Sequence, residues 1–455
     1  MRDFTKDSIT RHLLVTAAPV AISMLAQILN QLVDLYFVTK LGAEATAGVS
    51  AAGNVVFAIA ALTQVLAAGT VALVSLAVGR QDRTDANQIF NQSFMLAIVW
   101  SAIAIAVLYA VMGPYLGSLS ADAATYQAGV TFTSWVLPGL VLLMPMTVLS
   151  SALRGTGIVQ PATLVYVLTV VVNAILAPVL IAGWGTGIAL GVQGAGLATT
   201  LASIVGIVVL MLWFPRLQPL LALTPSLMRP RFAQWRRLLA IGLPAGGEMV
   251  LMFVFVAIIY FVIRDFGPQA QAGFGIGWRI MHTILLPGIS IAFAVGPIAG
   301  QNFGAGNSDR VRETFRRASV LGTTVMIVTA ALVHGYPDAM LRLFASDPQA
   351  TEVAVAFLRS MSWMFVAQGL VYICSMMFQG LGNTRPSLLS SGIRLLTFAV
   401  PAIWLSFDPH FYLEQVWYLC VASVVLQAAV SLWLLDRQLK LRLVVAPEPL
   451  AARNC

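Results

Sequence analysis

The sequence predicts an all-α polytopic membrane protein, with twelve transmembrane helices in two pseudo-symmetric six-helix lobes. Three observations carry that prediction. Of the 455 residues, 59% are hydrophobic and only 10% are charged, with a mean hydropathy of +0.87, whereas a soluble domain carries about 25% charged residues. Apolar runs of about 20 residues, the length needed to cross a bilayer, recur along the chain. Much of the stretch 13–164 is also echoed in a single register 225 positions later.

In chain order the spans read at 12–38, 46–78, 89–114, 127–152, 161–182, 191–215, 237–263, 271–302, 317–334, 351–379, 386–407 and 411–435. The first starts near Leu13 and is too long for a signal-peptide core, with no cleavage-like ending, so it reads as a retained helix. After the second span, Gly79-Arg80-Gln81-Asp82-Arg83 reads as a solvated cytoplasmic turn. The fifth and eleventh spans open on Pro161 and Pro386, each a few residues after a Gly-x-Gly turn, as suits the first turn of a helix. Between the sixth and seventh spans the segment 217–235 holds Pro219, Pro225 and Pro230 with Arg229 and Arg231, and reads as a cytoplasmic linker. The expected organisation is therefore an N-terminal lobe at 1–216, the linker at 217–235 and a C-terminal lobe at 236–455. Gly and Pro interrupt several long spans, which need not be straight.

The repeat rests on residues with specific backbone needs, since alanine or leucine matches mean little in so apolar a chain. Pro19 matches Pro244, Gly42 matches Gly267 and Gly48 matches Gly273. Gly155, Gly157 and Pro161 match Gly380, Gly382 and Pro386. An even number of spans per half makes the repeat parallel, about an axis along the membrane normal. Internally duplicated membrane proteins of this kind are most often transporters.

With both termini cytoplasmic, twenty of the 26 Lys and Arg fall inside and only Lys40, Arg264 and Arg342 outside, as the positive-inside rule expects. The net charge of +8 thus reports topology and contact with anionic headgroups of the lipid bilayer, with no nucleic acid partner. Cys374 and Cys420 lie inside spans and Cys455 ends the chain, which suggests no disulfide framework, and the four histidines are scattered. A soluble enzyme is excluded; no cofactor is expected.

Only Asp34 and Glu248, among eighteen acidic residues, fall well inside spans. A charged carboxylate at mid-bilayer costs a few kcal/mol on insertion scales, so such residues invite a functional reading. Gln27, Asn30, Gln31 and Asp34 are spaced 0, 3, 4, 7 and share one helix face. The stripe suits a water-filled cavity or, equally for its amides, interhelical hydrogen bonding. The fifth span has a similar stripe through Thr163, Tyr166 and Asn173, and the tenth one through Gln368, Tyr372, Ser375 and Gln379. Glu248 has the apolar helical neighbours Met252 and Phe255 and follows Pro244 by four residues, so it is read near a cytoplasmic helix end, where a carboxylate costs little. Arg279 with His282, and Arg394, are further intramembrane candidates; Arg394 is long enough to snorkel to the cytoplasmic surface.

The repeated segments resemble the multidrug and toxic compound extrusion (MATE) family of bacterial efflux transporters, of the NorM/DinF-like kind. AQILNQLVDLYFVTKLG (26–42), ATAGVS and AQAGFG (45–50 and 270–275), SALRGTGIVQPATL (151–164), GVQGAGLATT (191–200), PIAGQNFGAGN (297–307) and MFQGLGNTRPSLL (377–389) carry the resemblance in family order. It implies a twelve-helix, two-lobe fold with a central cleft, and antiport of amphipathic, often cationic drugs against protons or sodium. The family's first-helix aspartate falls on Asp34, fifteen residues after Pro19; Gln27 fits as well, its asparagine falls on Asn173 and a threonine on Thr199. The second aspartate of one branch is replaced by Ala177. The glutamate and aspartate of another branch fall at Met252 and near Gln368, leaving Asp34 as the main coupling carboxylate.

The resulting expectation is a monomeric, proton-coupled multidrug exporter of the bacterial inner membrane, working by alternating access as two lobes rock. Asp34, Asn173 and Thr199 would couple the cation, H+ or alternatively Na+. Gln27, Asn30, Gln31, Tyr166, Glu248, Met252, Gln368 and Tyr372 would line the substrate cavity. The rival readings are a lipid-linked saccharide flippase of the same superfamily, which calls for a basic cavity, and a membrane receptor or scaffold without transport.

Overall fold

The sequence punctuation places the helix ends. In the computed structural model, which describes residues 3–120, 122–341 and 347–443, the helices are α1 (Ile9–Thr39), α2 (Ala43–Gly79), α3 (Arg83–Leu119), α4 (Ala123–Gly155), α5 (Gln160–Ala182), α6 (Gly191–Leu217), α7 (Phe232–Ile263), α8 (Pro268–Ile284), α9 (Leu286–Gly304), α10 (Ser308–Gly335), α11 (Pro337–Leu341), α12 (Pro348–Ser362), α13 (Phe365–Gly380), α14 (Arg385–Leu405) and α15 (Leu413–Leu443). Arg2, Arg342, Arg453 and Cys455 lie outside the described residues, and the side chain of Asn54 is likewise not described. Among the described residues, ten helices are long and apolar enough to cross a membrane, and up to twelve spans result if two bent pairs each count as one.

Those bent pairs are where the expected eighth and tenth spans differ from single helices. α8 and α9 meet at 51°, and α12 and α13 at 61°. Pro287 stands in the first turn of α9, where its missing N–H and its ring stop α8 from running on. No proline marks the second break; there the amides of Trp363 and Met364 bond back three residues, to Ser360 and Met361, and tighten the chain.

The repeat is carried by shared backbone demands. Gly42 and Gly267 both have positive φ (113° and 91°), as do Gly157 and Gly382 (84° and 72°), a conformation that L side chains rarely adopt. Gly48 and Gly273 mark the same close approach. A Cβ on Gly48 would stand 2.6 Å from the Thr125 carbonyl oxygen, and one on Gly273 would stand 2.5 Å from that of Ala350. Small residues let membrane helices come this close, and their packing replaces the hydrophobic drive that lipid does not supply. The register also extends to a pair the sequence reading passed over. Asp122 caps α4 by accepting from the Thr125 amide at 2.7 Å, and Asp347 caps α12 by accepting from the Gln349 amide at 3.0 Å.

The described chain divides into two compact units, one of residues 1–3 and 22–242, the other of 4–21 and 243–455. In the first, α4 packs against α2, α3 and α6, and α5 lies on α6. Its core runs through Leu73, Phe90, Leu137, Met144, Leu149 and Phe214, with Phe90 stacked on Phe214 at 4.8 Å. In the second, α9 and α10 pack on α13, α8 on α12, and α15 on α13 and α14. Its core centres on Phe274, Phe357 and Trp417. Each unit thus takes in the opening of the other half's first helix. Residues 4–21 are held by Arg310, which donates to the carbonyls of Phe4, Lys6 and Asp7 at 2.9–3.1 Å. Residues 232–242 are held through Arg237, which is 3.1 Å from Asp85. Pro19 and Pro244 lie inside α1 and α7, beside the points where those helices pass from one unit to the other.

Candidate functional site

Two faces of α1 separate by polarity. Leu25, Leu29, Leu32 and Tyr36 are exposed along one side, as a lipid-facing stripe requires. On the other side, Ser23, Asn30 and Asp34 meet α5. The Ser23 hydroxyl donates to Thr163 Oγ1 at 3.0 Å. Two turns further, Asn173 Nδ2 donates both to Asn30 Oδ1 at 3.0 Å and to Asp34 Oδ1 at 3.1 Å. Asn30 Nδ2 completes the cluster, donating to Asp34 Oδ2 at 3.3 Å. Asn173 is 1% exposed, and its Oδ1 is buried without a hydrogen-bond partner. An orphaned acceptor of this kind is costly, and here it sits on the residue that holds the carboxylate.

The other expected members of this site stand apart from the cluster. Gln27 and Gln31 are exposed on α1, and none of the hydrogen bonds described above includes them. Thr199 is half-buried on α6 and donates to the Ala195 carbonyl one turn back at 3.3 Å, so the structure does not bring its hydroxyl to Asp34. Tyr166 is half-buried on α5, two turns before Asn173. Ala177, where a second carboxylate stands in one branch of the family, packs with Val38, Ile181 and Ala195.

The C-terminal half holds a second carboxylate in different company. Glu248 has apolar neighbours on its own helix, as expected, but it is half-buried and its polar partners come from α13 and α14. Ser375 and Ser387 donate to Glu248 Oε2 at 2.9 and 2.6 Å, and Ser391 to Oε1 at 3.4 Å. The two hydroxyls of Ser375 and Ser387 lie 2.7 Å apart, and Gln427 Nε2 donates to Ser391 at 3.1 Å. Glu248 is thus engaged by side chains rather than left at a wet helix end. Ser387 and Ser391 were not singled out from the sequence, although with Arg394 they repeat at 0, 4, 7 on one face of α14.

Arg394 lies over the Phe255 ring at 4.2 Å from its centroid and donates from Nη1 to Gln368 Oε1 at 3.4 Å. It points into its own half and does not snorkel outward. Gln368 is buried at 5% exposure, while Tyr372 and Met252 are half-buried. Arg279 is exposed, and His282 is half-buried with its ring 4.7 Å from that of Trp278.

Comparison with known proteins gives the family. The MatE family model matches residues 19–179 and 244–405, once in each half. A probable multidrug resistance protein NorM of Thermotoga maritima is 24% identical over 400 residues, covering 86% of this chain and 84% of the relative. An FAD transporter of Shewanella oneidensis is also 24% identical over 400 residues, covering 86% and 87%. Among solved structures, a MOP superfamily transporter from Pyrococcus furiosus superposes with a TM-score of 0.90 at 22% identity, covering 97% of this chain and 98% of that one. With the duplicated helical fold and the doubled match of the family model, the chain belongs to the MATE family of multidrug efflux transporters and is a multi-pass membrane transporter, not an enzyme.

Proposed function

We propose that this protein exports amphipathic, often cationic drugs by cation-coupled antiport, with protons as the coupling ion and Asp34 as the carboxylate that carries them. The observation behind this reading is the Asn30–Asp34–Asn173 cluster on the inner face of α1 and α5. A carboxylate among membrane helices is costly when charged and much cheaper when neutral. Binding or losing one proton therefore changes which surroundings suit Asp34. Alternating access needs that preference, because an ion that interacts equally with both states drives nothing.

Sodium would want several oxygen ligands at once. The Thr199 hydroxyl is turned to its own helix, and the Ala177 side chain offers no oxygen, which favours the proton. Relatives named as multidrug resistance proteins support a drug-like cargo. On this reading the halves 1–216 and 236–455 work as the lobes of a monomer in a bacterial inner membrane. The termini and the linker 217–235 are cytoplasmic, as the basic residues indicate. Labelling from outside the cell should miss a thiol introduced at Arg229 and reach one at Asp408; the opposite pattern inverts the topology.

The deciding experiment is drug uptake into everted vesicles, with a proton gradient and a sodium gradient imposed separately. Uptake should follow the proton gradient. Uptake driven by sodium alone would replace the proton in this reading, and no uptake under either gradient would end it.

A further inference from the structure

The C-terminal half contains a cation that the coupling reading does not use. On α14, Leu389, Leu396, Val400 and Trp404 are exposed along one side. At 100° per residue, Ser387, Ser391, Arg394 and Phe398 fall on the opposite side, and Phe398 is fully buried. Arg394 is therefore carried into the half, away from the lipid-facing stripe. A guanidinium there is expensive, and such residues pair with acids or backbone carbonyls when their role is structural.

Arg394 has no such partner among the described residues. The one hydrogen bond of its guanidinium is the 3.4 Å contact to Gln368 Oε1, its Nε is buried with no acceptor, and the Phe255 ring covers one face. Glu248 is near enough to act on it through space, but the direct contacts of that carboxylate are to Ser375, Ser387 and Ser391. Gln368 is itself buried, so the amide that touches Arg394 is held among packed side chains. A guanidinium has five N–H donors in a planar fork suited to two oxygens of a carboxylate or phosphate. Among the described residues, Gln368 Oε1 is the one acceptor within hydrogen-bonding distance of that fork, and it is at long range.

We propose that Arg394, oriented by Gln368 and backed by Phe255, is an anion-binding subsite within the C-terminal half, which takes the carboxylate or phosphate group of an amphipathic substrate. This deepens the export reading by adding anionic or zwitterionic cargo to the cationic class. It rests on that reading only for the direction of transport. The shared chemistry is an oxyanion on an apolar body, which a soluble aromatic acid or a lipid headgroup can both present.

The test is binding without transport, so it stands or falls separately from vesicle uptake. The full chain in nanodiscs of zwitterionic lipid is titrated with fluorescein, an aromatic carboxylate, and with ethidium, an aromatic cation. The wild type should bind fluorescein saturably. R394Q should lower the ratio of fluorescein to ethidium affinity by about tenfold or more, the scale of losing hydrogen bonds to a charged group. R394K, which keeps the charge without the fork, should fall between. Phosphatidylglycerol added to the discs distinguishes the sources. Displacement of fluorescein from the wild type supports the subsite and assigns it to headgroups; unchanged affinity supports it and assigns it to soluble acids. Absent fluorescein binding in the wild type overturns the proposal. So does an equal loss of both ligands in R394Q and R394K, which would make Arg394 a packing clamp.

Discussion

Asp34 and Glu248 each stand inside their own half, yet the groups that hold them differ: two carboxamides at the first, three serine hydroxyls at the second. As they are turned here, the amide N–H₂ groups of Asn30 and Asn173 donate one to each oxygen of Asp34, which suits the charged carboxylate; a protonated carboxyl keeps one full acceptor and turns its other oxygen into a donor. A hydroxyl donates or accepts as required. Ser375 and Ser387, in contact with each other as well as with Glu248 Oε2, can rotate to serve either form of that carboxyl. A proton on Asp34 therefore requires one of these amides to move or turn over, whereas the hydroxyls at Glu248 need only rotate. The proposed coupling role calls for the residue whose surroundings must rearrange. This comparison, more than depth in the membrane, separates the two residues.

The comparison is most exposed at Asp34→Asn. The substitution keeps size and one of the two accepting oxygens but can neither gain nor lose a proton, and removing a charge from among membrane helices does not threaten folding. Gradient-driven uptake by everted vesicles at wild-type protein level should fall to about a tenth or less, within the range of typical coupling free energies. Near-normal uptake would remove the coupling role from this residue. Drug binding to the purified variant should persist in part.

Glu248→Gln is the matching experiment in the other half and should do less. A glutamine offers the serines both an acceptor and a donor, so the cluster around position 248 stays satisfied in one of its two forms. Uptake should drop by less than about fivefold, the scale of one weakened neutral hydrogen bond. Complete loss with intact protein would mean that the C-terminal half carries the proton, and the hydroxyl argument would fail with it.

The sequence made the Asp34 site more legible than the Glu248 site, for a physical reason. Asn30 and Asp34 lie one turn apart on one helix, so their spacing alone put them on one face. Their partner Asn173 showed itself as the residue of the fifth span most costly to bury unpaired. Glu248 has no such local signal, because Ser375, Ser387 and Ser391 reach it from helices more than a hundred residues away. Only the 0, 4, 7 spacing of Ser387, Ser391 and Arg394 hinted at a polar inner face on α14. The helix breaks divide in the same way. Pro287 announces the first. The second falls at Trp363, whose register partner Pro138 sits inside the unbroken α4, so packing within each half, and not the proline, decides where those helices stop.

The smallest expected effect tests whether the two halves, alike in register, are alike in tolerance. Gly155 and Gly380 occupy the same place in the repeat. A Cβ on Gly155 would meet the Val74 side chain, with Cγ1 at 2.9 Å and Cβ at 3.0 Å. On Gly380 it would meet backbone, with the Gly296 carbonyl oxygen at 2.7 Å and the Gly300 amide nitrogen at 3.2 Å. Alanine gains up to about 1 kcal/mol of helix preference over glycine, which offsets a modest clash. At 155 the two nearest atoms belong to the Val74 side chain and the nearest backbone atom, the Ser75 amide nitrogen, stands at 3.3 Å, so less backbone has to move. At 380 two helix backbones must separate, an overpacking cost of about 1–3 kcal/mol. Thermal unfolding in detergent should therefore rank Gly380→Ala below Gly155→Ala. Equal losses would mean that the α9–α13 contact yields as readily as the α2–α4 contact.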